Sequence, residues 1–154
     1  MSDALKAPVP SLYETDLYAW SQDQSARLRA QATTSLDWEH VAEEIESVGE
    51  SERSEIESRM AVLLTHLLKW QFQPERRSNS WRGTIHEQRR RINRRIRRSP
   101  SLRGHPLEVL DEEYAIARWN AAGETRLSPD TFPADCPFTV SQILDMGYLP
   151  GGDQ

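Results

Sequence analysis

Residues 59–98 read RMAVLLTHLLKWQFQPERRSNSWRGTIHEQRRRINRRIRR, and the reading of this stretch decides the fold. Ile56, Met60, Leu63, Leu67 and Trp70 recur at alternating four- and three-residue steps, which places them on one face of a helix. Leu64 and Leu68 widen that stripe, as expected of a central helix packed on more than one side. Pro74 ends it by removing a backbone donor and clashing with the preceding turn. Ser78-Asn79-Ser80 then offers several N-caps. The helix that follows turns Trp81, Ile85, Ile92 and Ile96 inward, carries arginine over the rest of its surface and stops at Ser99-Pro100.

Upstream, the central helix is expected from about Ser51 to Phe72, with Gly49 as the left-handed stop of a separate helix before it. Asp37 caps that earlier helix. It has a stripe of Trp38, Val41, Ala42, Ile45 and Val48, with Glu39, Glu43, Glu46 and Glu50 on its other face. A capping box, Ser11-x-x-Glu14, starts the first helix. Its inner face is Tyr13, Leu17, Trp20, Gln24 and Leu28, and it ends near Gln31. Downstream, Pro106 suits the first turn of a helix that buries Leu107, Leu110, Tyr114, Ala117 and Ala121 and stops at Gly123. Residues 127–149 are punctuated by proline. A T-x-x-Q box at Thr139–Gln142 opens a short helix with Val140, Ile143 and Leu144 inward. No segment alternates with the period of two that a strand requires. The expectation is an all-α, single-domain bundle of five or six helices over residues 11–149, with disordered tails at 1–10 and 150–154.

Composition bounds the function. The chain of 154 residues carries a formal charge of −5, so it has no overall pull toward nucleic acid or anionic membrane. The distribution says more. Residues 35–58 hold nine acids against Arg53 alone, while residues 75–98 hold ten arginines against Glu75 and Glu87. Two equal and opposite blocks imply an internal match before they imply two external partners. Apart from Lys6 and Lys69 every basic residue is arginine, whose planar fork suits carboxylate and phosphate; codon bias explains the same choice. Cys136 stands alone, which excludes a disulfide framework and a cysteine metal cluster. There is no signal-like or membrane-length apolar run, so a cytoplasmic location is the default.

Ala42-Glu43-Glu44-Ile45-Glu46, Ser51-Glu52-Arg53, Leu63-Leu64, His66-Leu67-Leu68-Lys69-Trp70, Gln73-Pro74, Ser80-Trp81-Arg82 and Gln88-Arg89 form a recognisable series. So do Tyr13-Glu14-x-Asp16-x-Tyr18-x-Trp20 near the start and Phe132-Pro133-x-x-Cys136-Pro137 near the end. Together, from about Tyr13 to Leu144, they resemble a bacterial family known as domain-of-unknown-function family 29. The resemblance implies an all-α domain. It implies no activity, and no catalytic residue is carried over from it.

Four groups of residues are candidates for function. Arg59 and His66 lie two turns apart on one helix face, an R-x6-H spacing that resembles HEPN-type ribonucleases. There the histidine would move a proton at a 2′-hydroxyl and the arginine would stabilise the phosphorane-like charge. Met60 departs from the polar residue such enzymes often place after the arginine. The structural alternative has Arg59 paired with Glu55 or Glu52 and His66 bonded to a carboxylate. His40 and Glu44, four residues apart, are metal-ligand candidates without the facing Glu-x-x-His repeat that bundles use. Arg89, Arg90, Arg91, Arg94, Arg95, Arg97 and Arg98 can neutralise phosphates or form a solvated, internally paired face; no exposed aromatic accompanies them for base stacking. Lys69, Trp70, Gln73, Arg77, Trp81 and Arg82 make a polar-aromatic corner of the kind that anchors interfaces, or one that bonds loop carbonyls. No cofactor is implied. The reading that follows is an interaction module, binding a protein or a second copy through the Arg-rich helix and the Trp corner. The alternatives are a metal-independent nuclease and a nucleic-acid-binding accessory protein.

Overall fold

The computed structural model describes residues 11–152, and no strand occurs among them. Six α-helices follow in order: α1 (Leu12–Thr15), α2 (Leu17–Arg29), α3 (Trp38–Phe72), α4 (Asn79–Arg98), α5 (His105–Thr125) and α6 (Val140–Leu144). The protein is all-α. The expectations for residues 1–10, 153 and 154 lie outside the described residues, as does the Leu17 side chain. The chain divides into two compact units, one up to Gly49 and one from Glu50 onward.

In the first unit, the single helix expected from Leu12 onward is two. Asp16 breaks it by accepting from the Ala19 amide at 2.9 Å, so its side chain starts α2 instead of continuing α1. The expected stripe of α3 is not the face that packs. Ile45 and Val48 are 67% and 64% exposed and Trp38 is exposed as well, while Val41 is buried. Polar bonds decide the docking face. Tyr13 Oη donates to Glu44 at 2.7 Å, the Tyr13 ring stacks on His40 at 3.9 Å, and Trp20 Nε1 donates to Asp37 at 3.2 Å. These partners lie on the Asp37–His40–Glu44 side of α3, about a quarter turn from the Trp38–Ile45 line.

The largest departure is at Gly49. It does not stop a helix: α3 runs unbroken for 35 residues. Gly49 has no positive φ, and a glycine inside a helix costs only about 0.5–1 kcal/mol relative to alanine, too little to break so long a run of helix formers. Gly123 likewise lies within α5, which ends two residues later with Arg126 in the left-handed region at φ 61°.

The second unit holds the main core. Ile56, Met60, Leu63, Leu64, Leu67 and Leu68 of α3 are fully buried, and they meet Ile85 and Ile92 of α4, Tyr114, Ala117 and Ala121 of α5, Phe132, Phe138 and Ile143. The wide α3 stripe is therefore packed as expected, and burial of each of these large aliphatic side chains contributes about 1.5–3 kcal/mol. Ser78 caps α4 by accepting from the Trp81 amide. The Thr139 box forms with both bonds, at 3.0 and 3.1 Å. Leu107 was expected inward on α5 but is exposed. Pro150, placed in a tail by its sequence, is buried, and its carbonyl accepts from Arg77 Nη2 at 3.4 Å.

Candidate functional site

The arginines of α4 divide by position on the helix. Arg89 falls between Ile85 and Ile92 on the inward stripe and is only 1% exposed. Its fork donates to three carbonyls at the C-terminal end of the chain: Ile143 and Tyr148 at 2.7 Å each, and Gln142 at 3.2 Å. Burial pulls its pKa down, and Asp145 and Tyr148 partly offset that. Asn93 adds a bond to the Leu144 carbonyl at 3.2 Å. Arg89, a candidate for external binding from its sequence, is thus an internal clamp that satisfies the carbonyls left open by the short helix α6.

The other arginines face outward. Arg59 of α3 joins Arg90, Arg91, Arg94, Arg95 and Arg98 in lining an open groove of about 250 Å³. Some of that charge is answered. Arg95 pairs with Glu52 at 2.6 Å and Glu55 at 3.7 Å. Arg59 pairs with Glu55 and donates to Gln88 at 3.2 Å. Arg90 and Arg91 share the one carboxylate of Glu87, which their hydrogen bonds pull down to a pKa of about 2. Arg94, Arg97 and Arg98 form no ion pair among the described residues. Glu52 Oε2 and Arg59 Nε are buried with no protein partner among the described residues. The acidic and basic blocks of the sequence meet among the described residues through Arg95 alone, so the internal match expected of them covers a small part of the basic charge.

The Trp corner is largely consumed by the fold. Trp70 is 4% exposed. Arg77 and Arg82 lie over its ring at 5.1 and 5.4 Å, and Arg77 Nε donates to the Trp70 carbonyl at 2.8 Å. Buried under two guanidiniums, Trp70 cannot be the exposed anchor its sequence suggested. Trp81 is half-buried, with Lys69 Nζ 4.7 Å above it. Lys69 also bonds Glu124 at 2.9 Å. Lys69, buried Gln73, Trp81, Arg76, Glu124 and Arg126 line a second, polar cavity of about 460 Å³. Its cations sit at the C-terminal ends of α3 and α5, where they offset the partial negative charge of the helix dipoles.

The Arg59–His66 pair is not assembled. Arg59 is committed to Glu55 and Gln88, whereas His66 Nδ1 donates to the Val62 carbonyl one turn back, at 2.9 Å. Burial lowers the His66 pKa, and Lys69 lowers it further. No hydrogen bond joins the two side chains. The metal candidates are each engaged elsewhere: His40 Nδ1 is bonded to Asp37 at 2.7 Å and Glu44 to Tyr13. No cluster of three or more His, Cys, Asp or Glu among the described residues is arranged to hold a metal.

Two features escaped the sequence reading. Arg89 fills the gap in the Ile85–Ile92–Ile96 spacing, so the spacing itself marks a buried position there. His105, only 3% exposed, bonds Glu57 at 2.8 Å beside the buried Glu113. Nothing in the local spacing announces that pair, whose members lie 48 residues apart.

Among the described residues no helix is long and apolar enough to cross a membrane. Residues 12–149 match a family model described as domain of unknown function DUF29. No curated protein and no solved structure matches the chain.

Proposed function

We propose that this chain, which belongs to the DUF29 family, is a non-enzymatic interaction module whose contact surface is the arginine-lined groove of α4. One observation carries the reading. Glu52, Glu55 and Glu87 are already engaged, yet Arg94, Arg97 and Arg98 have no carboxylate among the described residues. Packing guanidiniums beside one another raises the local potential, and an anionic partner relieves it. The expected partner is therefore a polyanion, held by several charge-assisted bonds of moderate individual strength. The separation of Arg59 from His66 argues against a nuclease built on that pair.

The test is the binding of a fluorescent heparin oligosaccharide, a polyanion that is neither protein nor nucleic acid. The wild-type chain should bind it, and Arg94→Glu with Arg98→Glu should lose at least tenfold in affinity while keeping the helical circular dichroism spectrum. Equal binding by wild type and the double variant removes the groove from consideration.

A further inference from the structure

Resting on that polyanion reading, we infer that the groove takes the phosphate backbone of double-stranded nucleic acid, without regard to sequence. Three features of the groove select this partner among polyanions.

The first is its lining. Arg59, Arg90, Arg91, Arg94, Arg95 and Arg98 line it, and among the described residues no apolar or aromatic side chain does. A protein interface draws its energy from a few desolvated aromatic and aliphatic anchors within a polar rim. Here there is only the rim chemistry. An anionic membrane would also be met by these charges, but lasting membrane attachment needs apolar residues to enter the acyl region, and none line the groove.

The second feature is spacing. Arg91, Arg94 and Arg98 follow one another at three and four residues along one face of α4, so their roots climb the helix by about 4.5 and 6 Å. The row therefore runs alongside about three phosphate steps of one strand, and each guanidinium fork on its flexible stem can take phosphate oxygens in pairs.

The third feature separates duplex from single strand. Proteins that hold single strands without sequence preference stack the bases on aromatic rings. Trp70 and Trp81 are engaged by Arg77, Arg82 and Lys69. Guanidiniums set along a strand's phosphates fix position on the backbone, and such contacts carry no sequence information.

The magnitude follows from the pairing pattern. Within the groove Arg94 and Arg98 each contribute a full charge, and Arg90 with Arg91, sharing Glu87, contribute about one more. Neutralising about three phosphates gives a log–log salt slope of about −2.7, so affinity should fall roughly 40-fold between 50 and 200 mM salt.

The experiment is an anisotropy titration of the full chain with two labelled 20-base-pair duplexes of unrelated sequence, at both salt concentrations. Labelled poly-glutamate of equal charge and the heparin oligosaccharide run alongside. Expected are equal affinities for the two duplexes within about threefold, the stated salt dependence, and weaker binding of poly-glutamate. Arg94→Glu with Arg98→Glu should lose duplex binding, and Arg94→Lys with Arg98→Lys should retain most of it, since charge is what the backbone requires. Heparin or poly-glutamate binding with no duplex binding overturns this inference and leaves the polyanion reading standing. Failure of all ligands overturns both. Duplex binding that ignores salt, or survives the double charge reversal in a folded variant, places the contact elsewhere and overturns this inference.

Discussion

Replacing Arg89 with methionine isolates the clamp, because methionine fills most of the same volume and removes only the polar fork. Three carbonyls would lose their donor: those of Ile143 and Tyr148 at 2.7 Å and that of Gln142 at 3.2 Å. A buried acceptor left without a partner costs about 1–3 kcal/mol. The three share one guanidinium, so their losses do not simply add. Relief of the desolvation that holds the Arg89 pKa down returns part of the loss. The net expectation is a destabilisation of about 3 kcal/mol, a large share of the roughly 5–15 kcal/mol available to a domain. With a urea slope of about 1.5 kcal/mol/M, the unfolding midpoint should fall by roughly 2 M. Hydrogen exchange should quicken first across residues 140–149. Arg89→Lys should recover less than half of the loss, since an ammonium lacks the planar fork that reaches three carbonyls. The control is Arg90→Met on the exposed side of α4, with an expected change within about 0.5 kcal/mol. If Arg89→Met and Arg90→Met shift the midpoint equally, the carbonyl clamp is not what fastens α6 to α4.

Gly49→Ala should stabilise the protein by about 0.5–1 kcal/mol, since a Cβ there meets nothing within 4 Å and the backbone is not left-handed; destabilisation in thermal melts would refute an uninterrupted α3. The hydrogen bond to Asp37 raises the His40 pKa, so its contribution to stability is full below the unfolded value near 6.5 and is lost as pH rises through the folded value. NMR titration should find that folded value above 6.5 in the wild type and lower in Asp37→Asn, and an unchanged value would refute the pairing. Burial raises the Glu113 pKa, with Glu57 and Glu112 adding to it. Its ionisation therefore opposes folding as pH climbs through the folded value. Glu113→Gln should raise the melting temperature at pH 7, with the gain closing toward pH 4, and a gain independent of pH would contradict this.

Periodicity in the sequence sufficed for most of the second unit's core, Leu107 and the Gly123 stop excepted, because its helices bury broad apolar faces. Ile56 to Trp70, Ile85 with Ile92, and Tyr114 with Ala117 and Ala121 are all inside. It failed for the first unit because the packing there is polar. Tyr13, Trp20, His40 and Glu44 fix the face by hydrogen bonds and ring contacts, and no hydrophobic spacing encodes those. Gly49 misled because a stop depends on whether the following residues abandon the helix, and Glu50, Ser51 and Glu52 do not. The candidate site was half legible. An Arg-rich helix was plain, but which arginines are occupied depends on Glu52, Glu55, Glu87 and the α6 carbonyls, partners up to 54 residues distant.

The same residue type therefore performs opposite tasks on one helix, and the physics of the guanidinium explains why. It is weakly hydrated for a cation and carries five donors in a plane, so at position 89 it can be buried against carbonyls with no ion pair to a carboxylate among the described residues. At positions 94 and 98 the stems reach away from the core, and the same fork is left to water and salt. On the proposed reading, stability and recognition reside in different arginines. Arg94→Glu with Arg98→Glu should leave the unfolding midpoint within the effect of ordinary surface changes, about 0.5 kcal/mol each, while changing polyanion affinity. Arg89→Met should do the reverse at temperatures where the variant remains folded. A groove whose charge reversal cost as much stability as loss of the clamp would be part of the scaffold and not a surface reserved for a partner.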